Sequence, residues 1–134
     1  MQKVIDASAL LAYLNKESGW EKMEEILTIA AEKEKDLLMS AVNWGEVYYI
    51  ILRDVIDYHK AEDIEQIIQT MPIEIVPADQ EMAKEVATFK ATHKLAYADS
   101  FAAALAKKRK AELVTGDKEF KAVEGTIKIN WITS

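Results

Sequence analysis

Lys3-Val4-Ile5-Asp6-Ala7-Ser8-Ala9-Leu10-Leu11-Ala12-Tyr13-Leu14 is the stretch whose reading decides the fold. Lys3 to Ile5 is a short strand signal, and from Ala9 onward the apolar residues keep helical spacing, so the chain passes from strand to helix across Asp6-Ala7-Ser8. The alternation then continues. Trp20, Met23, Ile26, Leu27 and Ala30 recur at helical spacing between charged residues, which predicts an amphipathic helix over 20–33. Leu37-Leu38-Met39 is a second strand, and Ser40 is placed to cap a helix over 41–56 that is apolar on nearly every face, as a buried helix is.

Ala61, Ile64, Ile67, Ile68 and Met71 mark a further helix stopped by Pro72, and Ile73-Glu74-Ile75-Val76 is a third strand ended by Pro77. Asp79 can cap a helix over 82–92, and another helix starts near Asp99 and runs through the Ala-rich segment 101–108. Two short strands, 112–115 and 127–131, flank the Gly116-Asp117 turn. Alternating strands and helices imply an α/β fold: a three-layer α/β/α sandwich with a central, mostly parallel sheet of about five strands. In such sheets ligands bind beyond the carboxyl ends of the strands, where the strand order reverses.

The 134 residues, half of them apolar, suffice for a single domain over 1–134. No cysteine is present, which removes disulfides, thiolate metal sites and thiol nucleophiles and leaves oxygen and imidazole ligands. The formal charge of −6 argues against a passive nucleic-acid binder more than against a metallonuclease, whose bound cations offset clustered carboxylates. No basic leader or long apolar run is seen, so the expectation is a cytoplasmic protein without a membrane span.

Four acids stand out. Asp6 and Asp117 follow apolar strands and so occupy the carboxyl-end address, although a helix cap or a turn would satisfy each one alone. Asp99 lies among Ala96, Ala98, Ala102 and Ala103, where an N-cap role is equally open. Glu46 is the more telling. Its helical neighbours are Val42, Asn43, Tyr49 and Ile50, most of them apolar, and a carboxylate buried among them must be metal-bound, protonated or paired, for which Arg53 is the nearest cation in sequence. Asp6, Glu46, Asp99 and Asp117 together would form an oxygen-donor site suited to one or two Mg²⁺ or Mn²⁺ ions. Glu119 is a possible fifth acid, and Ser8 and Thr115 are hydroxyls beside the acids, able to support a ligand carboxylate or contact a phosphate.

Other chemistries find little support. His59 and His93 have no second ligand at helical spacing and read as surface histidines, and no phosphate-binding glycine loop is present. Lys107-Lys108-Arg109-Lys110 reads as a solvated helix end; Trp44, Tyr48 and Tyr49 read as core, while Trp20 could mark a partner surface. A phosphoryl-transfer domain would need a D-x-D after the first strand, where this chain has Asp6-Ala7-Ser8.

These residues resemble the PIN domain, in the form seen in VapC-type toxins of toxin–antitoxin pairs. Val4-Ile5-Asp6-Ala7-Ser8-Ala9 looks like its opening D-x-S/T motif, Ser40 to Val47 like the segment carrying the glutamate, Ala98 to Ala106 like the third motif, and Leu113 to Phe120 like the closing T-x-D motif. The resemblance implies a PIN-like fold, an endoribonuclease in which Asp6, Glu46, Asp99 and Asp117 ligate Mg²⁺ or Mn²⁺ with Ser8, Thr115 and Glu119 in support, an RNA substrate, a homodimer, and a cognate VapB-like antitoxin. The alternative is a non-catalytic PIN-like module that binds RNA or protein. Lys118, directly after Asp117, departs mildly from the pattern: its cation could act on that acid or contact phosphate.

Overall fold

A computed structural model describes residues 1–134. Its elements follow the expected alternation: β1 (Lys3–Ile5), α1 (Ala7–Asn15), α2 (Trp20–Glu32), β2 (Leu37–Ser40), α3 (Ala41–Val55), α4 (Tyr58–Gln69), β3 (Ile73–Val76), α5 (Gln80–Thr92), α6 (Tyr97–Arg109), β4 (Glu112–Thr115), a 3₁₀ helix (Lys118–Val123) and β5 (Ile129–Trp131). The five strands form one sheet in the order β3-β2-β1-β4-β5, and every pairing is parallel.

The pleat sorts the strand residues between two cores. Val4, Leu38 and Leu113 point into one with α5 and α6, where Val86, Phe89, Phe101 and Leu105 pack. Ile5, Leu37, Met39 and Val114 point into the other with α1 to α4, where Leu10, Met23, Val47 and Ile68 pack. Strands buried on both faces must be apolar throughout, which is why Leu37-Leu38-Met39 and Leu113-Val114 show no polar alternation. The chain leaves β1 toward β2 and β3 on one side and returns to β4 and β5 on the other. The order therefore reverses between β1 and β4, and the crevice of an open parallel sheet opens at their carboxyl ends.

Local signals account for most boundaries. Asp79 accepts a 2.8 Å hydrogen bond from Met82 N and Ser40 one of 3.2 Å from Val42 N, so both act as the caps their positions suggest. Three expectations need correction. First, α3 is not buried all round: only Asn43, Val47 and Ile51, one stripe at four-residue steps, are buried. Trp44 and Tyr48 stack at the half-buried edge, and Tyr49 is 63% exposed rather than core, because α3 belongs to an outer layer. Second, β5 starts at Ile129 instead of residue 127, and a 3₁₀ helix capped by Asp117 fills much of the preceding connection. Third, His93 is not a free surface side chain. It stacks on Phe89, with Nδ1 2.8 Å from Phe89 O and Nε2 3.1 Å from Thr126 Oγ1.

Candidate active site

Asp6 leaves β1 at the reversal point and is almost wholly buried, with 3% of its surface exposed. Its carboxylate caps α1 by accepting from Ala9 N at 3.0 Å, and it also accepts from Ser8 Oγ at 2.8 Å and Thr115 Oγ1 at 2.6 Å. Both hydroxyls are backed by amides of the β4 exit. Gly116 N donates to Ser8 Oγ at 3.2 Å, and Asp117 N donates to Thr115 Oγ1 at 3.0 Å. Two relays thus run from a backbone N–H through a hydroxyl to one carboxylate, and each bond polarises the next. Ser8 and Thr115 both lie in the site, serving Asp6.

The other acids ring this point. Asp117 caps the 3₁₀ helix through Oδ1, which accepts from Glu119 N at 2.9 Å. Glu119 is exposed on that helix. Glu46, half-buried on α3, accepts a 3.1 Å hydrogen bond from Asn43 Nδ2. The ion-pair alternative for it fails, because Arg53 pairs with Asp54 at 2.9 Å. Asp99 is not an N-cap either: α6 begins at Tyr97 with Ala96 as its uncapped entry, which puts Asp99 in the first turn. The tie between Asn43 and Glu46 is a feature that sequence reasoning missed, although Asn43 is conspicuous as an amide one helical turn before the glutamate in an otherwise apolar run.

Charge shows how these groups share space. The Asp99 carboxyl is raised from 3.8 to about 6, first by burial and then by the charges of Asp117, Asp6, Glu46 and Glu119. Nothing opposes the rise. Asp6 is likewise raised to about 6 because burial outweighs the hydrogen bonds from Thr115, Ala9 and Ser8, and Asp117 adds repulsion. The other four acids named from the sequence are therefore within electrostatic reach of Asp99. With the rotamers they hold, no three converge tightly enough to grip one ion. Like charges spread apart, and Asp6 is turned to its internal donors. The donor set itself, carboxylate oxygens with two carboxyls held up for want of a counter-charge, fits a hard divalent cation. Lys118 does not supply that charge: its ammonium sits 4.8 Å over the Trp131 ring.

A PIN-domain family model matches residues 3–125. The chain belongs to the PIN-domain family. Comparison with curated protein sequences gives no match. Among solved structures, the PIN chain is similar to one in a VapBC2 complex from Rickettsia felis bound to a promoter DNA fragment (TM-score 0.77, 15% identity, 98% of each chain covered). It is similar to one in a DNA-bound VapBC from Salmonella typhimurium (0.75, 17%, 98% of each). It also resembles VapC20 of Mycobacterium tuberculosis, a toxin that cleaves the sarcin–ricin loop (0.71, 15%, 91% of this chain and 95% of that one). At such identities the likeness establishes the fold. The PIN sheet and its two helical layers are those of these toxins, over nearly the whole length.

The PIN chain also has a concavity that none of these acids lines. An apolar groove of about 370 Å³ runs between α1, α2, α3 and α4, lined by Leu11, Leu14, Trp20, Ile50, Val55 and Ile67 among others, with Lys16, Glu24 and Asp54 also contributing. No helix of the chain is long and apolar enough to cross a membrane.

Proposed function

We propose that this PIN domain is a Mg²⁺- or Mn²⁺-dependent endoribonuclease and the toxin of a VapBC-type pair, working in the cytoplasm. The observation that carries the reading is the crowding of Asp6, Glu46, Asp99, Asp117 and Glu119 at the sheet's reversal point, with no cation of the chain to neutralise Asp99. Asp6, Glu46, Asp99 and Asp117 would hold the ion or ions. A metal held there would supply Lewis-acid stabilisation of charge on the phosphodiester and would make a water easier to deprotonate into a nucleophile.

The chain's own contribution is placement. Ser8 and Thr115 keep Asp6 ionisable and oriented despite its burial. Asp117 spends Oδ1 on its cap, which restrains its side chain and leaves Oδ2 without that bond. Asp99, half-buried and without a cap to satisfy, is the acid best suited to take a proton from water when a metal does not fully engage it. In-line attack by water leaves a 5′-phosphate and a 3′-hydroxyl.

Two further assignments rest on the same reading. The apolar groove between α1 and α4 suits a helix of the antitoxin, and the exposed Tyr49, Ile56, Tyr58 and Ile67 on α3, α4 and the turn between them offer apolar surface for a partner or for a second copy in a homodimer. The deciding experiment is cleavage of a mixed RNA pool with Mg²⁺, Mn²⁺ or chelator, with Asp99→Asn in parallel. Cutting that needs both metal and Asp99 is the expected result. Cutting that survives the chelator or the substitution removes the mechanism, and no cutting with any metal favours a non-catalytic binding module.

A further inference from the structure

Asn43 is a polar residue whose burial packing does not explain. It sits on α3 with 1% of its surface exposed, and its Nδ2 donates twice: 3.1 Å to Glu46 Oε1 and 3.0 Å to the carbonyl of Ala98. Ala98 immediately precedes Asp99, so a single amide ties the glutamate of α3 to the first turn of α6. Its Oδ1 is buried with no donor. Turning the amide over would set Oδ1 against a carboxylate and a carbonyl, two acceptors, and would strand the NH₂ group; the network therefore fixes the orientation. Leucine has the same branched shape and would fill the position without burying an orphan acceptor. What leucine cannot do is hold Glu46 and α6 together.

We propose that Asn43 is a positioning residue of the acidic site, keeping Glu46 in register with Asp99 so that the two acids serve the same divalent cation. Its effect reaches the metal through those acids, as hydrogen-bonding partners of ligands do elsewhere, where their loss costs about 10- to 100-fold in metal affinity. The inference rests on the metal-dependent reading above.

The test is calorimetric titration of Mn²⁺ into the wild-type chain and Asn43→Leu, paired with urea unfolding of both in chelator and with cleavage measured across Mn²⁺ concentrations. In chelator Asn43→Leu should unfold at the same urea concentration as wild type or higher, while its Mn²⁺ affinity falls by about 10-fold or more. Cleavage by the variant should recover as Mn²⁺ is raised, a dependence that a purely structural role would not produce. Unchanged Mn²⁺ affinity in Asn43→Leu overturns the inference and leaves the nuclease reading standing. No Mn²⁺ heat from the wild-type chain overturns both. If Asn43→Leu does not fold, Asn43→Ala is titrated in its place, with the same two outcomes.

Discussion

The Thr115 hydroxyl donates a 2.6 Å hydrogen bond to Asp6 Oδ2 across 109 positions of sequence, and this bond closes the carboxyl ends of β1 and β4 over the site. Thr115 is fully buried, so no water replaces the bond when it is lost. Thr115→Val keeps the volume, removes the donor to a charged acceptor and deprives Asp117 N of its partner. It should destabilise the fold by about 2 kcal/mol. Thr115→Ser should retain most of the stability, and urea denaturation of the pair distinguishes a hydrogen-bonding role from a packing one.

Asp99 sits among four other acids with nothing to offset them. Asp99→Asn removes that repulsion at nearly constant shape, so in chelator at neutral pH the variant should melt above the wild type, while cleavage is abolished. A gain in stability with a loss of activity is the mark of a group kept for function at the expense of the fold. Thermal melting in chelator checks it: a melting temperature below wild type would mean that Asp99 supports the structure instead.

How much of this was open to sequence reading follows from the range of the interactions. Asp6 at a strand end and the Asp79 and Ser40 caps depend on neighbours within three residues, and they were legible. Asp117 was legible in the same way, and Glu46 because burying a carboxylate among apolar residues is costly wherever the chain goes. The true start of α6 was not. Its entry at Ala96 lacks a capping side chain, so Asp99 drew the boundary toward itself although it lies in the first turn. Nor could apolar periodicity show that α3 leaves Tyr49 exposed, since a helix in an outer layer and one between layers read alike in sequence. The Asn43 bond to Ala98 spans 55 positions and is tertiary in origin.

Ile56 closes α3 in the left-handed region at φ 52 and is 88% exposed. A β-branched side chain there clashes with its own backbone and gains no burial in return. Ile56→Gly should stabilise the isolated chain by about 1 kcal/mol, glycine being the residue that this helix terminus favours. Chemical denaturation of the two proteins measures it. A loss of stability would show that Ile56 makes an intermolecular contact in solution, most simply within a homodimer, and sedimentation of both proteins would then differ.

The raised carboxyls also set how stability depends on pH. Asp6 and Asp99 move from 3.8 to about 6, so between those values the folded chain keeps protons that the unfolded chain has released. Their contribution is fully present below about pH 4 and is lost as pH rises through about 6. For buried Asp6 the loss is on the order of 3 kcal/mol, and half-exposed Asp99 adds less. Glu112 acts with the opposite sign. Its carboxyl is lowered by Asn130 and Lys3 against the cost of burial, so its stabilisation disappears only as pH falls through that depressed range, outside this window. In chelator the melting temperature should therefore be higher near pH 5 than near pH 7.5. Divalent metal competes with the same protons, so Mn²⁺ should raise the melting temperature strongly near pH 7.5 and little near pH 5. A melting temperature in chelator that rises across this range would mean that Asp6 and Asp99 ionise freely in the folded chain, and the electrostatic case for a cation at the end of β1 and β4 would fall with it.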